Sequence, residues 1–123
     1  MAFSKTAIPS AIATNRVYIA SSVASGDDNV IGGTGNVYAI RIDNSVVGST
    51  EVYVKLYDSA APTYGTTAPS AKFRVPAETT REFLFPRGMD FSAAGLSINT
   101  TQLKGVADTT SPAKDVKLVL LTD

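Results

Sequence analysis

The sequence predicts an all-β fold: an antiparallel β-sandwich, plain or wound as a jelly roll, behind an extended N-terminal arm. Three observations predict it. Val37 to Asp43 and Glu51 to Asp58 alternate apolar and polar residues at period two, the pattern of a strand with one face on a core and the other toward water. Shorter runs, Lys72 to Val75 and Glu82 to Phe85, repeat it, with Pro, Gly, Ser and Thr filling the connections. No segment reads convincingly as a helix.

In chain order, residues 1–14 lack alternation and contain Pro9, so they read as an arm, at most a short helical turn, ahead of a single domain over 15–123. Arg16 to Ala24 is the first strand, with Val17 and Ile19 on one face. Gly26-Asp27-Asp28-Asn29 is a turn, because Gly and Asx residues tolerate tight backbone angles. Val30-Ile31 forms a short edge segment before Gly32-Gly33-Thr34-Gly35 breaks the chain. The strands at 37–43 and 51–58 are expected to pair as a hairpin with Asp43 opposite Glu51. That register sets Ile42, Ile40 and Tyr38 against Val52, Val54 and Leu56, and a slip of one residue would destroy the match. Strands near 71–76 and 80–85 follow, then a stop at Pro86-Arg87-Gly88. A strand over 95–101, a long loop over 105–115 and a last strand from Val116 to Leu121 complete the chain. The expected core is Ile40, Ile42, Val52, Val54, Leu56, Phe73, Val75, Phe83, Phe85, Leu96 and Ile98.

Composition narrows the chemistry. A chain of 123 residues, 44% hydrophobic and 18% charged, is one domain with enough apolar residues for a core. No apolar run approaches the roughly 20 residues a membrane helix needs, and no signal-peptide pattern opens the sequence. Eleven basic and eleven acidic residues cancel, which gives no general attraction for nucleic acid or anionic membrane. The absence of Cys removes disulfides and thiolate chemistry; the absence of His removes the commonest acid–base catalyst and metal ligand near neutral pH. The sequence therefore argues against an enzyme, a metal site or a cofactor, and oligomerisation is the remaining common means of making so small a β domain durable.

Individual motifs add little chemistry. Asp27-Asp28-Asn29 does not match a calcium loop and reads as a solvated turn. Gly32 to Asn36 lacks the Gly-Lys-Ser/Thr ending of a phosphate loop and precedes a strand instead of a helix. Arg87-Gly88-Met89-Asp90 is an adhesion-like tripeptide spoiled by an inserted residue, and reads as a turn after a strand. Carboxylate pairs such as Glu78 with Glu82 lack the Trp platform a sugar-cleaving site would use. Three features point to protein contacts. Tyr53, Lys55 and Tyr57 would form an outward row facing Arg41, and Tyr and Arg favour interfaces. Val119 and Leu121 point away from Val116, Leu118 and Leu120, so the last strand is apolar on both faces and asks for cover from the arm or from another chain. The arm itself supplies Phe3, Ile8 and Ile12. The candidate interface is thus Phe3, Ile8, Ile12, Arg41, Tyr53, Tyr57, Val119 and Leu121.

The segments Val37 to Asp43, Val52-Tyr53-Val54-Lys55-Leu56-Tyr57-Asp58, Ala61-Pro62-Thr63 with Gly65-Thr66-Thr67-Ala68-Pro69, Val75-Pro76, Phe83-Leu84-Phe85-Pro86 and Gly88 resemble a group of small virion proteins of tailed bacteriophages and prophages. The resemblance spans roughly residues 36–100. It implies a β-sandwich virion structural protein of the capsid decoration, or cement, type, made in the host cytoplasm and carried on the virion. The implied partners are the major capsid protein, copies of the chain itself as a homo-oligomer, or both, with no nucleic acid, membrane, small-molecule substrate or cofactor. The alternative is a receptor- or glycan-binding module of a tail fibre or spike.

Overall fold

The computed structural model of the chain describes residues 3–7, 13, 15–21 and 26–123. Among them are eight strands and no helix: β1 (Phe3–Ala7), β2 (Asn15–Ile19), β3 (Gly35–Asn44), β4 (Val52–Asp58), β5 (Ala71–Val75), β6 (Thr79–Phe91), β7 (Leu96–Thr101) and β8 (Lys117–Thr122). They form two antiparallel sheets, one in the order β1-β2-β8-β3-β6 and the other β5-β4-β7. Asp27 adds a rudimentary strand to the open edge of β7: its N–H donates to the Ile98 carbonyl at 2.8 Å and its carbonyl accepts from Ile98 at 2.9 Å. The fold is an all-β sandwich, as the alternation predicts.

The core lies between the sheets because each strand turns its alternate apolar residues inward. Ile40, Ile42, Val52, Val54, Leu56, Val75, Leu96 and Ile98 are buried there, with Val17, Ile19, Leu118 and Leu120 from the outer strands. Val30 and Ile31, expected at a sheet edge, are instead a turn tucked into this core, and Phe91 is wholly buried with them. Phe73, Phe83 and Phe85 are only partly buried. Their rings stack 4.7 and 5.7 Å apart about Phe73 and close the side of the sandwich where β5 approaches β6.

The hairpin expected between 37–43 and 51–58 does not form. β3 pairs with β6 and β8, β4 with β5 and β7, and the two runs sit in opposite sheets. Their matched periods serve the same core from opposite sides. Residues 45–51 cross between the sheets, and a polar clasp holds the crossing. The Asn44 amide donates to the carbonyls of Thr50 (2.8 Å) and Pro76 (3.0 Å). Ser49 donates to the Asn44 carbonyl and accepts from the Glu78 N–H, both at 2.8 Å. These bonds satisfy backbone groups of Thr50, Pro76 and Glu78, which lie outside the strands, and of Asn44 at the end of β3.

Tyr38, expected inward, is displaced by a bulge. Val37 pairs with Met89 while Ala39 pairs with Leu84, so Phe85, Pro86, Arg87 and Gly88 together oppose Tyr38 alone. Val37 takes the inward position, and the Tyr38 hydroxyl donates to Asp123 at 2.9 Å. Gly88 makes the bulge feasible: its φ is 81°, and a Cβ there would meet the Asn36 Cβ at 2.9 Å. The Pro86-Arg87-Gly88 segment is therefore a bulge and not a stop, and β6 runs on to Phe91. Arg87 to Asp90, expected to turn after a strand, lies inside this one.

The N-terminal region also departs from expectation. Phe3–Ala7 is an edge strand in register with β2, from Phe3 opposite Ile19 to Ala7 opposite Asn15. It lies beside β2 in the plane of the sheet and does not fold over β8. The first long strand ends at Ile19, short of the expected Ala24; residues 22–25 lie outside the described set.

Candidate functional site

Register places the outward side chains of the five-stranded sheet in rows. One row reads Arg16, Leu121, Ala39, Leu84 across β2, β8, β3 and β6; the next reads Tyr18, Val119, Arg41, Glu82; a third holds Lys117, Asp43 and Thr80. Val119 and Leu121 are half-buried, and Leu84 is 70% exposed. A shallow groove of about 240 Å³ runs along Ala39, Ile40, Leu84, Val119 and Leu121, edged by Arg41 and Glu82. A second, of about 250 Å³, lies on the other side of Val119 and Arg41, with Tyr18, Asp43 and Lys117 as its walls. The Arg41 guanidinium is 3.4 Å from the Glu82 carboxylate, and both side chains are more than half exposed. Such a pair orients the rim and contributes little stability. Hydrogen bonds from the Ser45 side chain and backbone hold the Asp43 carboxyl below the usual range, with a smaller contribution from Lys117.

The expected interface residues therefore divide. Val119, Leu121 and Arg41 come together on this face. Phe3, 43% exposed, lies at the far edge in β1, opposite Ile19 and so on the core-facing side of the register. Ile8 and Ile12 lie outside the described residues. Tyr53 and Tyr57 belong to the other sheet, so the expected row of Arg41 with the two tyrosines does not exist. Leu84 is the residue that the sequence reading missed. Its signal is present in Phe83-Leu84-Phe85, a run apolar on both faces like the one at Val119 and Leu121.

The outward side of the three-stranded sheet is closed over β7 and most of β4, while Lys72 and Arg74 of β5 stay exposed. Lys55 and Tyr57, expected on an open face, are buried, Lys55 under the 102–115 loop and Tyr57 against the ring of Tyr64, and β7 is buried along its whole length. The Lys55 ammonium donates to the carbonyls of Gly105 (2.7 Å) and Asp108 (3.0 Å), tying the loop to the centre of the sheet. Burial lowers the Lys55 pKa, with Asp108 opposing that effect. Tyr53 remains half-buried at the margin, its hydroxyl donating to Glu51 at 2.9 Å, while Arg74 Nε donates to the other Glu51 oxygen at 2.6 Å. Burial of Lys55 and Tyr57 breaks the expected row on this face, and Tyr53, Lys72 and Arg74 remain at its margin.

Asp27 is likewise not a solvated turn residue. It is 5% exposed, and Tyr64 covers it: a Cβ at Gly26 would lie 2.3 Å from the Tyr64 ring. The Tyr64 hydroxyl donates to Asp28 at 2.6 Å, and the Tyr64 ring packs edge-on against Tyr57 at 5.2 Å. Burial, and then the neighbouring Asp28 charge, push the Asp27 pKa up to about 6. A carboxyl that holds its proton more tightly folded than unfolded stabilises the fold fully below about pH 4, and that contribution is lost as pH rises through 6. Asp43, Glu51, Asp108 and Asp123, all held low, act in the opposite sense and lose their contribution only as pH falls below the ordinary carboxylate range. The melting temperature should therefore be highest near pH 5 and fall toward pH 7.5. Asp27→Asn should raise it by a few degrees at pH 7.5 and flatten that limb. An unchanged slope in the variant, read by differential scanning fluorimetry, would contradict the assignment.

Comparison with protein-family models, curated proteins and solved structures finds no match for the chain.

Proposed function

We propose that this chain is a non-enzymatic structural protein of a tailed-phage virion, a capsid decoration protein that binds and stabilises the shell. The observation that carries the reading is the open face of the five-stranded sheet. Leu84, Val119, Leu121 and Ala39 leave a flat apolar surface in water on a domain that could have covered it, as it covers the other sheet. Exposed apolar surface of that kind marks contact with another protein. The sequence resemblance supplies the setting, and the winding agrees with it. With Asp27 counted as a strand, β2-β8-β3-β6 lies over Asp27-β7-β4-β5, an order that supports a jelly-roll reading, and jelly rolls serve as capsid and lectin domains.

In this reading the protein is carried on the virion and contacts the major capsid protein, its own copies, or both, without nucleic acid, membrane or cofactor. Gel densitometry of purified virions tests it. A decoration protein should be present in numbers comparable with the major capsid protein, and virions lacking it should release DNA at a lower temperature. A copy number at the level of a tail component would overturn the decoration reading in favour of a fibre or spike module.

A further inference from the structure

We propose that the open face of the five-stranded sheet pairs with the same face of a second copy, about a two-fold axis running parallel to the strands between β8 and β3. The arrangement of side chains on the face selects both the occupant and the axis. Such an axis exchanges β8 with β3 and β2 with β6 while keeping each row at its own height. In the first row Leu121 then meets Ala39 of the second copy, and Arg16 lays its stem over Leu84. In the second row Tyr18 faces Glu82, a hydroxyl against a carboxylate, and Val119 lies on the stem of Arg41. In the third, Lys117 faces Asp43, and symmetry repeats that ion pair on the other side. No charge is set directly against a like charge: Lys117 meets Asp43, Glu82 meets the Tyr18 hydroxyl, and the stems of Arg16 and Arg41 lie on aliphatic side chains.

A second face-to-face two-fold, perpendicular to the strands through the middle row, fails on the same residues. It sets Arg41 against Arg41 and Glu82 against Glu82, and it lays Leu121 on Lys117. Like charges directly opposed cost binding energy and exclude that mode. A face with this pattern of cations and anions is complementary to itself, which is the requirement of an isologous contact.

The size of the face sets the strength. Four strands at about 4.8 Å and three rows at about 6.8 Å cover on the order of 400 Å² per copy in plan, below the roughly 800 Å² per partner of a standard stable interface. The dimer should therefore be weak in dilute solution, with a dissociation constant in the micromolar range, and populated fully only at the local concentration of an assembly. The pairing concerns the chain alone. It stands or fails on purified protein, separately from the copy number that tests the virion reading.

Arg16 and Leu84 provide the test. Within one copy they sit on the first and last of four adjacent strands, roughly 14 Å apart and out of reach of each other; across the two-fold they touch. Sedimentation velocity from low micromolar to near-millimolar protein should show a monomer–dimer equilibrium for the wild type. Leu84→Arg, at an exposed position that leaves the melting temperature of dilute protein unchanged, should weaken the dimer about tenfold or more by setting arginine against arginine. Adding Arg16→Glu to Leu84→Arg should restore it. A wild type that stays monomeric throughout overturns the proposal, as does a Leu84→Arg variant that dimerises normally or a double variant that stays as weak as the single. If the wild type is monomeric but Leu84→Arg no longer binds virions, the proposal also fails and the face belongs to the shell.

Discussion

Phe91→Ala is expected to remove about 3–5 kcal/mol of stability, a large fraction of the roughly 5–15 kcal/mol a domain of this size possesses. Phe91 ends β6 opposite Gly35, is wholly buried, and packs where the chain leaves the larger sheet for the smaller one. Glycine across the ladder has no side chain to collapse into the space, so the cavity would stay open and its full cost would be felt. The same truncation at Phe83 should cost clearly less. Phe83 is only partly buried and leans on Phe73 at the rim, where water already reaches. Urea denaturation of the two variants measures the difference, and equal losses would contradict the assignment of Phe91 to the centre of the core.

The second large effect is expected at Lys55. Its four methylenes cross the outward side of β4, and its ammonium joins two carbonyls of the 102–115 loop. Lys55→Ala removes the stem and both charge-assisted hydrogen bonds and should cost about 2–4 kcal/mol. Lys55→Met keeps most of the stem and spares the burial of a charge, so its loss should be smaller, about 1–2 kcal/mol. Its more telling effect is local. Lys104 is exposed at the start of the loop, and trypsin should cut there faster in the methionine variant than its global stability predicts. Unchanged protection of Lys104 in Lys55→Met would show that something other than the ammonium holds the loop.

The core was legible in the sequence because period two assigns each residue to a face whatever its strand pairs with. Ile40, Ile42, Val52 and Val54 are inward in the structure for that reason. Pairing was not legible for the same reason. Two runs of equal period satisfy a hairpin and a face-to-face sandwich equally well, and nothing in residues 44–50 reveals that the Asn44 amide clasps the crossing. Polar-tipped side chains hid the closed face. Lys55 and Tyr57 carry long apolar bodies that bury well once a carbonyl or a ring lies at the tip, and no residue in the 102–115 loop announces that it supplies those carbonyls. The open face was half legible. Broken alternation in β8 marked Val119 and Leu121, but the same break at Leu84 was concealed between two phenylalanines that dominate the core reading.

Hydroxyl-radical footprinting of the protein free at low concentration and again on intact virions tests the proposed contact surface, and the proposed place on the virion, most directly. Leu84, Val47 and Leu103 are all well exposed on the isolated domain and should react when it is free. On the virion, oxidation of Leu84 should fall sharply together with that of Val119 and Leu121, while Val47 or Leu103 keeps its reactivity. If Leu84 reacts equally in both states, the open face of the five-stranded sheet is not where this protein meets its partners.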